Sequence, residues 1–420
     1  MKRILTVSSG KGGVGKTTFA VNFALSLSTA APTVLVDLDT GTSSVRNSID
    51  VPVERDLYHF LRKGTPLEQC VTRLPESLDR RGRFRNFGFV AAPRHLIEEI
   101  TNFGEGVKAS LVAAINRLPA TYVVLDLRAG LDRNVIDFLP YSNSGVLVFT
   151  PHLPAATLAA SDIVKAILFR KLRIIFSEES PFYAHLPEPA RYARKIRELL
   201  DVVDDVYDES IRNLDDFLVR LAGEVDDPGI LERLAATLED FRVYYVLNMF
   251  NGVRESYETA IAPFVSNIVE HVSSRINITN LGWILRSDRI HDANCRRVPA
   301  LLTPEPVAVP APRPAARREL EELGRQYLNL RLEPPSRRPI AAPERPADPR
   351  HSLDRQLDSL RAMYADQKNA GVRENFSYIT HRALHLIEAM PPSEFGETRI
   401  CRPEEILSHF FPGDRFPAVF

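Results

Sequence analysis

Apolar residues follow two alternating patterns along this chain. Unbroken runs recur at Ile4-Leu5-Thr6-Val7, Val34-Leu35-Val36, Phe87-Gly88-Phe89-Val90, Tyr122-Val123-Val124-Leu125, Val146-Leu147-Val148-Phe149 and Val243-Tyr244-Tyr245-Val246-Leu247. Runs without polar alternation fit parallel strands covered on both faces. Between them, apolar positions return at helical spacing: Phe19 to Leu27, then Leu57, Phe60 and Leu61, then 107, 111, 112, 115 and 118. That period is the signature of helices with one buried face. Strand and helix in alternation predict an α/β fold, a mostly parallel sheet with helices on both faces.

Two stretches break the alternation. Residues 190–241 are helical by pattern, with one stripe through Val203, Val206, Tyr207, Ile211, Leu214, Phe217, Leu218 and Leu221 and another through Leu231, Leu234, Leu238 and Phe241. The opposite face is acidic: Asp204, Asp205, Asp208, Glu209, Asp215 and Asp216. Either this is a helical hairpin with a solvated face, or it is a docking lobe for a basic partner. Later, a helix over 317–330 closes the α/β region, which gives a domain over 1–332. Residues 333–350 are proline-rich and read as an extended linker. The tail, 351–420, has narrow stripes at Leu353, Leu357, Leu360, Tyr364 and at Ile379, Ala383, Leu386, Ile387, Met390.

Composition narrows the class. The chain has 420 residues, 44% hydrophobic and 25% charged, which suits a globular protein with one large or two modest domains. A formal charge of −1 gives no global pull toward nucleic acid or anionic membrane. No apolar run reaches the roughly 20 residues that span a bilayer. The run after Met1-Lys2-Arg3 is too short for a signal peptide. Cys70, Cys295 and Cys401 are isolated, so neither a disulfide framework nor a Cys-x-x-Cys site is available, and a reduced, cytoplasmic setting is expected. Arg80, Arg81, Arg83 and Arg85 crowd one loop, either solvated or touching phosphate or an acidic partner. His291 and Cys295 lie four apart on a predicted helix; packing is the plainer reading, a metal pair the other.

The chemistry concentrates after the first strand. Gly10-Lys11-Gly12-Gly13-Val14-Gly15-Lys16-Thr17-Thr18 stands between that strand and the Phe19–Leu27 helix. Strand, glycine loop and helix is the context a phosphate-binding loop requires. Its N–H groups form an anion nest and the helix start adds its dipole. Lys16 reaches the β- and γ-phosphates, and the Thr17 hydroxyl takes a Mg²⁺ position. Lys11 is a surplus cation beside Lys16 and needs more negative charge than one loop supplies. Two later strands end in carboxylates, Asp37 with Asp39 and Asp126, where ligands of parallel sheets sit. One could hold a magnesium-bound water and another could orient the attacking water.

Lys-Gly-Gly-Val-Gly-Lys-Thr-Thr over 11–18 is similar to the deviant Walker A motif of the MinD/ParA family of P-loop ATPases. The stretch 134–165, with Val-Ile-Asp-Phe-Leu, Thr-Pro and Ala-Thr-Leu-Ala-Ala-Ser-Asp, resembles the MinD branch, including its flagellar-number regulator FlhG. The resemblance covers residues 1–170 and 242–332. It implies ATP and Mg²⁺ as ligands and a homodimer formed on ATP, with Lys11 reaching the partner's phosphates. It also implies that Asp39 positions water, that Asp37 and Asp126 support magnesium with Thr17, and that the Gly130 N–H senses the γ-phosphate. Residues 42–49 correspond to the first switch. Asn248 matches the adenine-contacting Asn, and 282–288 the base-cradling loop, with Leu285 where proline is usual and Ser287 where aspartate is usual. Roughly seventy residues, about 177–241, stand as an insertion before the Asn248 strand.

The resulting expectation is a slow, partner-stimulated ATP hydrolase that switches by dimerising and positions or regulates another cellular structure. Its protein partner would dock on the acidic insertion and the tail. The tail lacks the basic amphipathic helix by which MinD proteins bind membranes: Asp354 and Asp358 balance Arg355 and Arg361. A protein-binding module therefore fits it better than a membrane anchor. No specific nucleic-acid partner is expected. The alternatives are an assembly or biosynthetic enzyme on the same scaffold, or a nucleotide-binding scaffold with little turnover.

Overall fold

The unbroken apolar runs become strands of one sheet. In chain order these are β1 (Arg3–Ser8), β2 (Thr33–Asp37), β3 (Thr72–Arg73), β4 (Phe87–Val90), β5 (Tyr122–Asp126), β6 (Asn143–Phe149), β7 (Arg242–Phe250) and β8 (Asn277–Leu285). They form an eight-stranded sheet in the order β3-β4-β2-β5-β1-β6-β7-β8. Only the β3–β4 pair is antiparallel; the other neighbours run parallel. This computed structural model describes residues 2–41, 44–94, 104–140, 142–177, 180, 183, 188–205, 208, 210–224, 228–303 and 349–388. The predicted 317–330 helix, nearly all of the proline-rich linker and everything beyond residue 388 lie outside them. A second compact unit, Thr303–Arg345, contributes only Thr303 to the described residues.

Helices fill the crossovers: α1 (Lys16–Ser28), α2 (Ser44–Ser48), α3 (Leu57–Lys63), α4 (Glu105–Arg117), α5 (Arg133–Ile136), α6 (Pro154–Ile175), α7 (Pro189–Asp204), α8 (Leu214–Ala222), α9 (Pro228–Glu239), α10 (Val253–Ser256), α11 (Ala262–His271) and α12 (Asp288–Cys295). From β1 the chain crosses one way to β2, and from β6 it crosses the other way to β7. Right-handed crossovers in opposite directions put α1 and α6 on opposite faces. Accordingly α1 packs on β1, β2 and β5, and α6 packs on β6 and α11. The point where strand order reverses is β1, so the crevice of the sheet opens at its carboxyl end, where the glycine loop begins.

The insertion is helical, as its stripes predict. Helix α7 packs on α6 and α8, and α8 on α9. Asp215 leaves the predicted acidic face. It is buried, and it accepts from Ser273 Oγ and the Ser274 N–H at 2.7 Å each. It therefore anchors the insertion to the loop before β8. Asp204 pairs with Arg173 at 3.2 Å on the surface, a contact of small energetic weight.

Two tail helices, α13 (Pro349–Gln367) and α14 (Val372–Glu388), follow the second unit. They lie on the sheet: α13 packs on α11 and β8, and α14 on β8 and α1. Their apolar stripe is buried at Leu360, Met363, Phe376, Ile379 and Ala383. Phe376 stacks on Phe19 of α1 with ring centroids 6.0 Å apart, and Phe19 in turn stacks on Phe23 at 5.2 Å. Tyr364 meets Trp283 of β8 at 6.4 Å. Among the described residues no helix is long and apolar enough to cross a membrane.

Replacing a buried phenylalanine by alanine costs about 3–5 kcal/mol. Phe376→Ala should therefore lower the denaturant midpoint of the whole chain in one cooperative transition. A tail that melts separately, with the main transition unmoved, would contradict this packing.

Candidate functional site

Helix α1 begins without a side-chain cap; its N-cap is Gly15, at φ 83. That left-handed conformation suits glycine and aims consecutive N–H groups into the loop. Space matters as well. A Cβ on Gly10 would run into the backbone of Ala159 on α6, and one on Gly15 into the Asn248 amide. The loop is thus clamped between α6 and the end of β7. Val14 is fully buried, whereas Lys11, Gly12 and Gly13 face solvent.

The carboxylates converge by register. Asp37 and Asp126 are direct partners across the β2–β5 ladder. Asp126 is fully buried and receives two loop groups: Lys16 Nζ donates to Oδ1 at 2.6 Å and Thr17 Oγ1 to Oδ2 at 2.7 Å. Asp37, also fully buried, accepts from the Asp39 N–H at 3.1 Å and the Val45 N–H at 3.0 Å. Burial, reinforced by Asp126 and Asp39, pushes the Asp37 carboxyl up to about 8 against the pull of the Val45 N–H and of Lys16. Asp39 stands next along the chain with a buried Oδ1 that has no hydrogen-bond partner among the described residues. An orphaned buried acceptor of this kind suits a water or a ligand.

Lys16, Thr17, Asp37, Asp39 and Asp126 are thus gathered in one crevice. Thr18 sits at its rim and donates to Asn294 Oδ1 of α12 at 3.4 Å. Gly130 closes on the loop, its N–H donating to the Ser9 carbonyl at 3.0 Å. Lys11 is exposed and makes no ion pair among the described residues; only its carbonyl is used, by Ser9 Oγ at 3.0 Å. Asn248 lies at the end of β7 with its Nδ2 donating to the Val14 carbonyl at 2.7 Å. Its amide pins the phosphate loop in this arrangement. The expected base loop is shorter than its sequence match, because Gly282–Leu285 belong to β8 and Trp283 stacks on Phe250 at 4.5 Å. His291 and Cys295 form an exposed pair at 3.7 Å.

Among the described residues no three His, Cys, Asp or Glu side chains could hold a metal by themselves. The crevice instead offers one hydroxyl and hard carboxylate oxygens, a donor set that fits Mg²⁺ completed by phosphate and water. Sequence reading missed Asn22, whose Oδ1 takes the Leu301 N–H at 2.9 Å and whose Nδ2 donates to the Thr18 carbonyl at 2.8 Å. No local signal marks such a contact, since its partners are far apart in the chain.

Comparison with known proteins places these features in context. A family model described as "CobQ/CobB/MinD/ParA nucleotide binding domain" matches residues 5–372. The putative septum site-determining protein MinD of Tupiella akineta is 30% identical over 154 residues, 36% of this chain and 48% of that protein. The chloroplastic septum site-determining protein minD homolog of Arabidopsis thaliana is 29% identical over 170 residues, 40% of this chain and 50% of that protein. The chain therefore spans about half the length of such curated relatives. Among solved structures, the cell division ATPase MinD of Pyrococcus furiosus is 15% identical, with a TM-score of 0.41, over 77% of this chain and 100% of its own. The septum site-determining protein MinD of Pyrococcus horikoshii, complexed with Mg-ADP, is 14% identical, with a TM-score of 0.40, over 73% of this chain and 90% of its own.

The raised Asp37 carboxyl has a consequence for stability. Between its unfolded value near 3.8 and about 8, the folded protein binds a proton that the unfolded chain releases. Stability without ligand therefore falls as pH rises through that window. Asp37→Asn should flatten the fall, read as urea midpoints at pH 5 and pH 8. Parallel pH profiles for the two proteins would contradict the assignment.

Proposed function

The chain belongs to the CobQ/CobB/MinD/ParA nucleotide-binding family, and on that footing we propose that it is a magnesium-dependent ATPase that dimerises on ATP and positions or regulates another cellular structure. The observation that supports this most is the meeting of Lys16 and Thr17 with Asp126, beside Asp37 and Asp39, at the carboxyl ends of β1, β2 and β5.

In this reading the nest at 10–18 binds the phosphate chain through backbone N–H groups. Lys16 leaves Asp126 for the β- and γ-phosphates, and Thr17, Asp126 and Asp37 hold the metal, directly or through water. When bound, Mg²⁺ would neutralise charge on the phosphates. Asp39 Oδ1 accepts a hydrogen bond from a water and aims its oxygen at the γ-phosphorus. The new P–O bond forms as the bond to ADP breaks, and the water's proton leaves with phosphate. Gly130, freed from the Ser9 carbonyl, can turn its N–H toward the γ-phosphate. Lys11, exposed and uncommitted to any ion pair among the described residues, reaches the phosphates of a second copy. Asn248 contributes to the base side. The acidic insertion and the tail surface would receive a protein partner, and a cytoplasmic setting is consistent with the reading.

Three substitutions test it. Lys16→Ala should abolish ATP binding by calorimetry; retained affinity would remove the site. Lys11→Ala should bind ATP normally yet lose most turnover, since its ammonium acts across the dimer; wild-type phosphate release would remove that role. Asp39→Ala should accumulate as an ATP-bound dimer in light scattering, and a monomer under saturating Mg-ATP would contradict the switch.

A further inference from the structure

The phosphate loop fixes one end of a nucleotide and leaves open where the base lies. The two flanks of the crevice differ. The β2 and β5 side carries Asp37, Asp39 and Asp126, a wall suited to metal and water and unfavourable to an apolar ring. The other side is built from the ends of β7 and β8. There Asn248 holds Val14, and the turn from Leu285 to Ser287 leads into α12, whose Asn294 meets Thr18. With the acidic wall unfavourable, the second side is the one left for the base.

That side is held from behind by the tail. The β7–β8 register slips between Asn248 and Phe250; past the slip Phe250 pairs with Leu285 and its carbonyl takes the Arg286 N–H at 3.2 Å. Asn375 of α14 adds a second restraint, from outside the sheet, on the same turn. It is fully buried, its Oδ1 accepts the Leu285 N–H at 3.3 Å, and its Nδ2 donates to Gln367 Oε1 at 3.2 Å. The same turn of α14 reaches the phosphate-loop helix. Phe376 stacks on Phe19, and Arg373 donates to the Leu301 carbonyl at 3.4 Å, while the Leu301 N–H is held by Asn22 of α1. One helical turn therefore touches both α1 and the end of β8.

We infer that Asn375 is a positioning residue for the nucleotide base, acting through the Leu285–Ser287 turn, so that the C-terminal helix pair sets base affinity and base discrimination. The inference rests on the nucleotide reading above. It concerns only the base, which allows it to be separated from phosphate binding.

The experiment compares Mg-ATP, Mg-GTP and inorganic tripolyphosphate by titration calorimetry on the full chain. Asn375→Ala should weaken ATP about five- to tenfold, the worth of one net hydrogen bond, and narrow the gap between ATP and GTP. Tripolyphosphate, which has no base, should bind as to wild type. Should Asn375→Ala not fold, Asn375→Ser, whose side chain is too short to reach Leu285, is read in the same way. Arg382→Ala removes the α14 contact to the Asn280 carbonyl, 2.9 Å long and away from the crevice. It should lower stability and leave all three affinities alone. Equal losses for ATP and tripolyphosphate, no loss for either, or an Arg382→Ala profile matching Asn375→Ala would overturn the inference. Wild-type protein that binds neither ATP nor tripolyphosphate would instead overturn the nucleotide reading on which it stands.

Discussion

The site depends on one buried ion pair, Lys16 with Asp126, at 2.6 Å. A buried ammonium or carboxylate is costly unless it is paired. Removing one partner of such a pair typically costs about 3–5 kcal/mol. Without ligand, the loop cation and the strand carboxylate therefore hold each other, and Thr17 reinforces the grip from the other oxygen. Asp37 sits across the ladder with its carboxyl pushed up by burial and by Asp126. On the proposed function, a phosphate can take Lys16 only if something else then balances Asp126. A divalent cation arriving with the phosphates would do that and would tie nucleotide and metal into one event.

The rest of the fold supplies rigidity to that exchange. Reversal of strand order at β1 opens the crevice, and the parallel register brings Asp37 and Asp126 level. Ala159 of α6 and Asn248 of β7 brace the glycine loop from two sides. The tail helices add a third brace, since α14 packs on both α1 and β8. A chain segment that follows a proline-rich stretch thus braces the elements that carry the site.

Much of the candidate site's layout was legible because it depends on short-range rules. An apolar run ending in Asp37 or Asp126 must point that residue out of the carboxyl end of a buried strand, and a glycine loop before a helix must expose N–H groups. The stripes over 353–364 and 379–386 were legible as helices. Their destination was not, because an apolar stripe looks the same whether it covers its own sheet or a partner. Asp215 shows the same limit: in the sequence it continues an acidic face, yet in the fold it turns inward to Ser273 and Ser274. Asn375 and Asn22 were invisible for a different reason. Each is one polar residue on a helix, and its role comes from a backbone N–H brought near by tertiary packing.

The account is tested most directly by measuring ATP affinity of the wild-type protein by calorimetry with Mg²⁺ and with a chelator. If Lys16 is surrendered by Asp126 only when a cation replaces it, ATP should bind at least about tenfold more tightly with Mg²⁺, a difference of about 1.4 kcal/mol. Equal affinities in the two conditions would mean that the buried pair does not gate the site, and would contradict the account.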